Sequence, residues 1–337
     1  MDVSVVICAY DDGRWSQLRA TVRSVEQQSY PPAETILVID HNPALLKRAR
    51  RELPGAVVVE NSGSRGLRGA RNTGITASCG ELVAFLDDDA FACPEWLVRL
   101  VEPYADPAVA GVGGSVAPLW EQTRPSWFPS EFDWVVGCSY CGMPNTAQEV
   151  RNLLGCNMSF RRDLLDRLGG FQLGYGCDDT ERCTLGGCDE TELCIRLRQR
   201  WPSRKLVYVP DAKVHHYVPV DRVRVRYFLT RCYFEGGSKA VVAALVGAGA
   251  ALSSERHYAR QTLPQAVRHG VEDFLRQRDA SGLARATAIL GGLTTTTLGY
   301  VSGSVATSRA ARRRGWSGAS LTTASKVRRS RSVTAIR

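Results

Sequence analysis

Three consecutive carboxylates, Asp87-Asp88-Asp89, follow directly on the apolar run Leu82-Val83-Ala84-Phe85-Leu86. Acids this close repel one another and raise each other's pKa unless something positive sits among them. A hard divalent cation, magnesium or manganese, meets that need, because it prefers oxygen ligands and commonly bridges carboxylates to phosphate oxygens of a bound molecule. The plainer reading of the same spacing is a solvated acidic turn. Other residues capable of chemistry are scattered along the chain: Asp40 after a second apolar run, Arg71, the acidic pair Asp189-Glu190 and the pair His215-His216. Whether they meet depends on the elements that carry them.

Five apolar residues in a row read as a strand covered on both faces, the mark of a parallel sheet in an α/β domain. The acids then lie at the carboxyl end of the strand, the edge where open α/β sheets bind ligands. The preceding chain supports this. A β-branched run over residues 3–10 ends in the turn Asp11-Asp12-Gly13, after which Leu18, Val22 and Val25 recur at helical spacing until Tyr30-Pro31-Pro32 stops them. Residues 35–39 give a second buried strand, 45–53 a helix and 57–59 a short strand. A glycine-rich loop over 63–69 carries Arg65 and Arg68, and Gly69-Ala70-Arg71-Asn72-Thr73-Gly74 opens the helix leading to the acidic strand. This alternation predicts a doubly wound parallel sheet over roughly the first 115 residues.

These residues resemble the family 2 glycosyltransferases with the GT-A fold. The resemblance is carried by the first strand with Ala9-Tyr10, Asp40, Gly69-Ala70-Arg71-Asn72-Thr73-Gly74, and Phe85-Leu86-Asp87-Asp88-Asp89 with Trp96-Leu97. It continues through Gly155-Cys156-Asn157-Met158, Gly169-Gly170-Phe171, Asp189-Glu190-Thr191-Glu192-Leu193 and the stretch 210–216, and so spans residues 3–216. Order and spacing carry it, not any single motif. It implies an α/β nucleotide-diphospho-sugar transferase fold, with a Rossmann-like, mostly parallel sheet between helices. It also implies inverting transfer of a sugar from a nucleotide diphosphate, a UDP-sugar foremost, to a hydroxyl of a glycan, lipid-linked or small-molecule acceptor, with Mn2+ or Mg2+ on the diphosphate.

Site roles carry over position by position. Asp40 at a strand end accepts from the ring N–H of uracil, or else caps the following helix, with Ala9 and Tyr10 as the floor beneath the base. Arg71 binds phosphate in a planar fork, or makes an ordinary surface pair. Asp89 is the first choice for metal contact and Asp87 for ribose or the metal's surroundings; Asp88 can take either role, and His216, preferred to His215, completes the metal site. The base comes from Asp189-Glu190, at the start of an amphipathic helix through Leu193 and Leu197. The family usually writes Glu then Asp here. This chain reverses them, so Glu190 aligns with the base while Asp189 remains a candidate, otherwise read as the helix cap.

Composition bounds the rest. The net charge of +9 suggests a polyanion partner until it is located: residues 307–337 hold nine Lys or Arg and no acid, and the remainder carries 34 of each sign. Nucleic acid is therefore not the expected partner; the basic tail, expected to be disordered, suits an anionic membrane surface. Residues 286–308 hold no charge, but Ala, Gly, Thr and Ser make them a weak span and a better buried or interfacial helix. Three segments are expected: 1–218 as the transferase domain, 219–306 as a helical extension associated with a membrane, and 307–337 as the tail. Arg222, Arg224, Arg226, Arg231 and Lys239 offer a lipid-phosphate cluster or simply solvated charges, and the aromatic stretch 120–143 a wall for the acceptor or core packing. Without an apolar leader, and with 11 scattered cysteines, the chain reads as cytoplasmic, peripheral on the inner face of the membrane. Cys138-x-x-Cys141 with Cys177, Cys183 and Cys188 matches no standard zinc spacing, so free thiols are preferred. Competing functions are a nucleotide-sugar-binding protein without turnover and a sugar-phosphate nucleotidyltransferase. The latter would carry a basic glycine loop where this chain has Ala9-Tyr10-Asp11-Asp12.

Overall fold

The β-branched run becomes β1 (Val3–Ala9), and its alternate side chains serve two different cores. Val5 and Ile7 point into one apolar cluster, Val6 into another. The same split divides Leu37 and Ile39 from Ile36 and Val38 in β2 (Glu34–Ile39), and Ala84 and Leu86 from Val83 and Phe85 in β4 (Leu82–Asp87). That is why these strands are apolar without alternation: the sheet is buried on both faces. Helices α1 (Trp15–Glu26) and α2 (Pro43–Glu52) cover the first face through Leu18, Val22 and Leu45, and α3 (Leu67–Ala77) covers the second through Ala70 and Ile75.

The computed structural model describes residues 1–172, 187–278 and 280–313. The sheet runs β3-β2-β1-β4-β8-β6-β9-β5, where β3 is Val57–Glu60, β5 Ala90–Ala92, β6 Val109–Trp120, β8 Asn157–Arg161 and β9 Lys205–Val218; β7 (Gln148–Glu149) pairs with β9. The first four strands in space are parallel, and β8 joins β4 antiparallel. Helices α4 (Trp96–Val101), α5 (Arg162–Leu168) and α6 (Asp189–Arg200) complete the layers, giving the expected α/β architecture of a mostly parallel sheet between helices.

After β9 the described chain is helical: α7 (Val225–Val246), α8 (Ala248–Ala251), α9 (Ser253–His257), α10 (Leu263–Gln277) and α11 (Ala280–Arg313). α7 is not held off from the sheet. Phe228 and Cys232 belong to the first core cluster, where Phe228 meets Trp127, Phe128 and Phe132 with ring centroids 5.6, 5.5 and 5.2 Å away. This revises the reading of the aromatic stretch as an acceptor wall: Phe128 and Phe132 are fully buried, and their rings fasten the helical extension to the sheet. α11 packs closely on α7, because a Cβ at Gly236 or Gly299 would collide with backbone of the opposite helix. Among the described residues no helix is long and apolar enough to cross a membrane. Cys177 and Cys183, like most of the basic tail, lie outside the described residues.

Candidate functional site

β4 delivers Asp87 at its last position, and the chain turns at once into the three-residue β5, which pairs antiparallel with β9 so that Ala90 stands opposite His216. This register puts His216 Nε2 3.0 Å from Asp89 Oδ1, while His215, one residue earlier, faces away opposite Phe91. Asp87, Asp89 and His216 each bring a ligand atom within 4.8 Å of the others, the one such group among the described residues.

Arginines hold the acid cluster. Arg14 Nη1 lies 3.2 Å from Asp88 Oδ1 and 3.3 Å from Asp89 Oδ2, and Arg222 reaches the same Asp89 oxygen at 3.5 Å. Burial, then the charge of Asp89, push Asp88 up to about 7 against the pull of Arg14. Burial also works to raise Asp89, but the hydrogen bond and charge of His216, with Arg222 and Arg14, hold it at about 2. Two buried polar atoms here, Asp88 Oδ2 and His216 Nδ1, lack a hydrogen-bond partner. Acids pushed apart in pKa beside a buried histidine and orphaned polar atoms form a donor set that fits a hard cation.

Asp40 directly follows β2, under the loop that opens α3. Its Oδ1 accepts from Asn61 Nδ2 at 2.6 Å and lies 2.8 Å from His41 Nδ1, and its Oδ2 accepts from the Gly66 N–H at 2.8 Å. Burial works to raise this carboxyl, but the hydrogen bonds from Asn61 and His41 and the Gly66 amide hold it below its usual value. It does not cap α2; Asn42 does, accepting from the Leu45 N–H. Of the expected floor residues, Ala9 is buried in the sheet, and Tyr10 alone stands out, 58% exposed.

Arg71 departs from its expected place. α3 begins at Leu67, so Arg71 is its fifth residue, 3% exposed. Its Nη2 donates to the Gly155 carbonyl at 2.8 Å and lies 3.4 Å from Asp87 Oδ1. It bridges the acid cluster to the opposite wall, where a Cβ on Gly155 would sit 3.3 Å from both Arg71 Nη2 and Glu190 Oε2; glycine there leaves room for the two side chains. Asp189 also departs from expectation. Cys188 is the N-cap residue of α6, no side chain caps it, and the Asp189 carboxylate is bound instead to Arg68 at 2.5 Å. Glu190 has the Thr191 hydroxyl at 3.2 Å, and burial followed by the charge of Asp189 raises its pKa, with Arg71 pulling the other way.

The other basic side chains do not form one lipid-phosphate cluster. Arg222 serves Asp89, Arg224 pairs with Asp221, and Arg231 and Lys239 face Glu235. Sequence reasoning did not assign Arg14 or Arg68 to the site; each meets its acid across a long stretch of chain, and no local pattern marks such pairs.

The Glycosyl transferase family 2 model matches residues 4–169. The chain is 34% identical over 246 residues, 72% of its length and 77% of the relative's, to the glucosyl-dolichyl phosphate glucuronosyltransferase of Haloferax volcanii. It is 27% identical over 70% of its length, and 73% of the other's, to the succinoglycan biosynthesis protein ExoM of Rhizobium meliloti. Among solved structures, the mannosyltransferase PcManGT of Pyrobaculum calidifontis, in complex with GDP-Man and Mn2+, shares the fold, with TM-score 0.53 at 17% identity over 87% of this chain and 86% of that one. GalNAc-T7, with UDP, GalNAc and Mn2+, aligns with TM-score 0.51 at 20% identity over 72% of this chain and 51% of that one. The acid-ended strand, the strand order and these likenesses agree: the chain belongs to the family 2 glycosyltransferases, enzymes that use a nucleotide-sugar donor.

Proposed function

We propose that this chain is a metal-dependent inverting glycosyltransferase whose donor is a UDP-sugar, glucuronosyl first among candidates, and whose acceptor is a hydroxyl of a lipid-linked glycan. The observation that carries the reading is the convergence of Asp87, Asp89 and His216 at the carboxyl end of β4. Asp89 and His216, with Asp87, would hold Mn2+ or Mg2+, which when bound supplies positive charge beside the donor diphosphate. Asp40 and Tyr10 receive the base, and Asp88 with Arg14 lines the donor side. The name of the Haloferax relative supports the glucuronosyl group, and the two solved structures, one with UDP and one with GDP-Man and both with Mn2+, support a nucleotide-linked donor and the ion.

Glu190 is the base. It accepts the acceptor hydroxyl proton as that oxygen attacks the anomeric carbon; the C–O bond to the diphosphate breaks on the opposite face, and configuration inverts. Asp189 is the weaker candidate because Arg68 already occupies its carboxylate. A base must keep some affinity for a proton, and the raised pKa of Glu190 serves this. Arg71, fixed between Asp87 and Gly155, positions the donor side relative to Glu190. The C-terminal region, basic and charge-poor by turns, rests on an anionic membrane surface facing the cytoplasm.

A thermal-shift screen of UDP- and GDP-sugars with and without Mn2+ tests the donor. The expected result is stabilisation by UDP-sugars that EDTA removes; equal stabilisation in EDTA would overturn the metal reading. Release of UDP separates an enzyme from a binding protein without turnover, the second reading left open by the reversed acidic pair.

A further inference from the structure

Away from the acid cluster, a second set of enclosed charges lies between α6 and the C-terminal helices. Arg151 donates to both oxygens of Glu255, at 2.6 and 2.8 Å, and Lys239 bridges Glu255 at 2.7 Å and Glu235 at 3.1 Å. The network ends on a thiol: Cys188 Sγ donates to Glu235 Oε1 at 3.1 Å.

Cys188 immediately precedes Asp189-Glu190 and has φ +66°, a left-handed conformation that a non-glycine residue keeps only where its surroundings enforce it. Among the described residues, the extension supplies most of those surroundings. Cys188 packs with Ile195, Val242 and Ala251, and a Cβ on Gly187 would sit 3.2 Å from Glu235 Oε2. Further along α6, Gln199 Nε2 donates to the Val246 carbonyl at 2.8 Å.

We propose that Glu235 is a positioning residue for sugar transfer: from α7 it holds the Cys188 turn, and through that turn it fixes where α6 starts and where the Glu190 carboxylate points. The inference rests on Glu190 as the base. Glu235 also acts by charge. Among the described residues, the groups facing Glu190 are Asp189 and Cys194 in its own helix, Cys188 at the helix start, Arg71 and Arg68 in α3, and Glu235 in α7; the two acids raise its proton affinity and Arg71 lowers it. Burial works to raise Glu235, but Lys239 and Arg231, with the Cys188 hydrogen bond, keep it ionised.

The test uses the full chain with Mn2+ and UDP-glucuronic acid as the probe donor, reading UDP release against pH, UDP affinity and Tm. Cys188→Gly removes the thiol but suits the left-handed turn, so Tm should hold and UDP affinity stay within about twofold while kcat falls about tenfold or more. Cys188→Ser keeps a donor and should restore most of the rate. Glu235→Gln keeps an acceptor but loses the charge, so the pKa of Glu190 falls and the acid limb of the kcat profile moves to lower pH. Unchanged kcat in Cys188→Gly, or rate losses matched by losses of Tm and UDP affinity, would overturn the proposal. Full turnover by Glu190→Gln would instead sink the base assignment beneath it.

Discussion

The two sides of the cleft are built by different means. On the acid side, Asp87, Asp89 and His216 are placed by strand ends and by the register of β5 against β9, so the geometry comes with the sheet. On the base side, Asp189-Glu190 starts a helix that is seated in the second core through Leu193, Cys194 and Leu197, and its first turn is met by Arg68 from α3, Gly155 from the loop before β8, and Glu235 from α7. A side fixed by backbone pairing tolerates loss of a side chain without moving. A carboxylate aimed by contacts from three separate segments does not, so loss of one contact there shifts where the carboxylate points.

The largest effect that would break this comparison belongs to Asp89. Asp89→Ala removes the carboxylate facing His216, Arg14 and Arg222, and should cost at least about 10³-fold in turnover, equivalent to roughly 4 kcal/mol. Circular dichroism should be unchanged, because the register of β5 does not depend on that side chain. Substantial activity in EDTA, or an unfolded variant, would put the acid side in the same class as the base side. Next in size is Phe228→Ala, where a buried ring against Trp127, Phe128 and Phe132 should cost about 3–5 kcal/mol. If the extension is only an appendage, the loss will appear as a separate early transition on melting; a single lowered transition is expected.

The sequence made the acid side legible and the base side only partly so. Apolar runs, helical spacing and Asp-rich strand ends are local signals, and they sufficed for the strands, the flanking helices and the choice of His216 over His215. The aromatic stretch stays open between acceptor wall and core packing in the sequence because residue type does not say whether a ring faces a cleft or a core; Phe228, about a hundred residues later, decides it for Phe128 and Phe132. The motif Gly69 to Gly74 suggests a helix start beside Arg71, whereas Gly66, with φ +109°, is where the loop turns into α3. Pairs such as Arg14 with Asp88 and Arg68 with Asp189 have no period to reveal them.

The base side gives a third, smaller effect. Glu190→Gln should lower kcat about 10²-fold or more with donor affinity little changed, since a base acts only as the proton moves. Turnover should fall as pH drops through the raised pKa of Glu190, because protonation removes the base. Asp189→Asn loosens the Arg68 pair, which is partly exposed, and should cost about 1 kcal/mol of stability with a modest rate loss. The reverse pattern, seen in the pH-rate profiles of both variants, would move the role to Asp189.

The smallest effect on catalysis is expected from the chain beyond α11. Ile289 is buried in the first core cluster and Ala286 is buried beside Gly270 of α10, so deleting the whole charge-free stretch 286–308 would break the fold and say nothing about membranes. A cut after Arg313 avoids this. It removes six of the nine Lys and Arg of 307–337 and leaves Leu290, Leu298 and Val301 exposed on the outer side of α11. Basic residues near an anionic bilayer contribute up to about 1 kcal/mol each, an attraction that salt screens. Removal of 314–337 should therefore abolish low-salt co-sedimentation with phosphatidylglycerol vesicles, while UDP release in solution stays within about twofold, because no residue assigned to either side of the cleft lies there. Vesicle binding unchanged by the deletion, and unchanged by salt, would place the membrane contact on the apolar side of α11 alone; loss of turnover in solution would tie the tail to the base side.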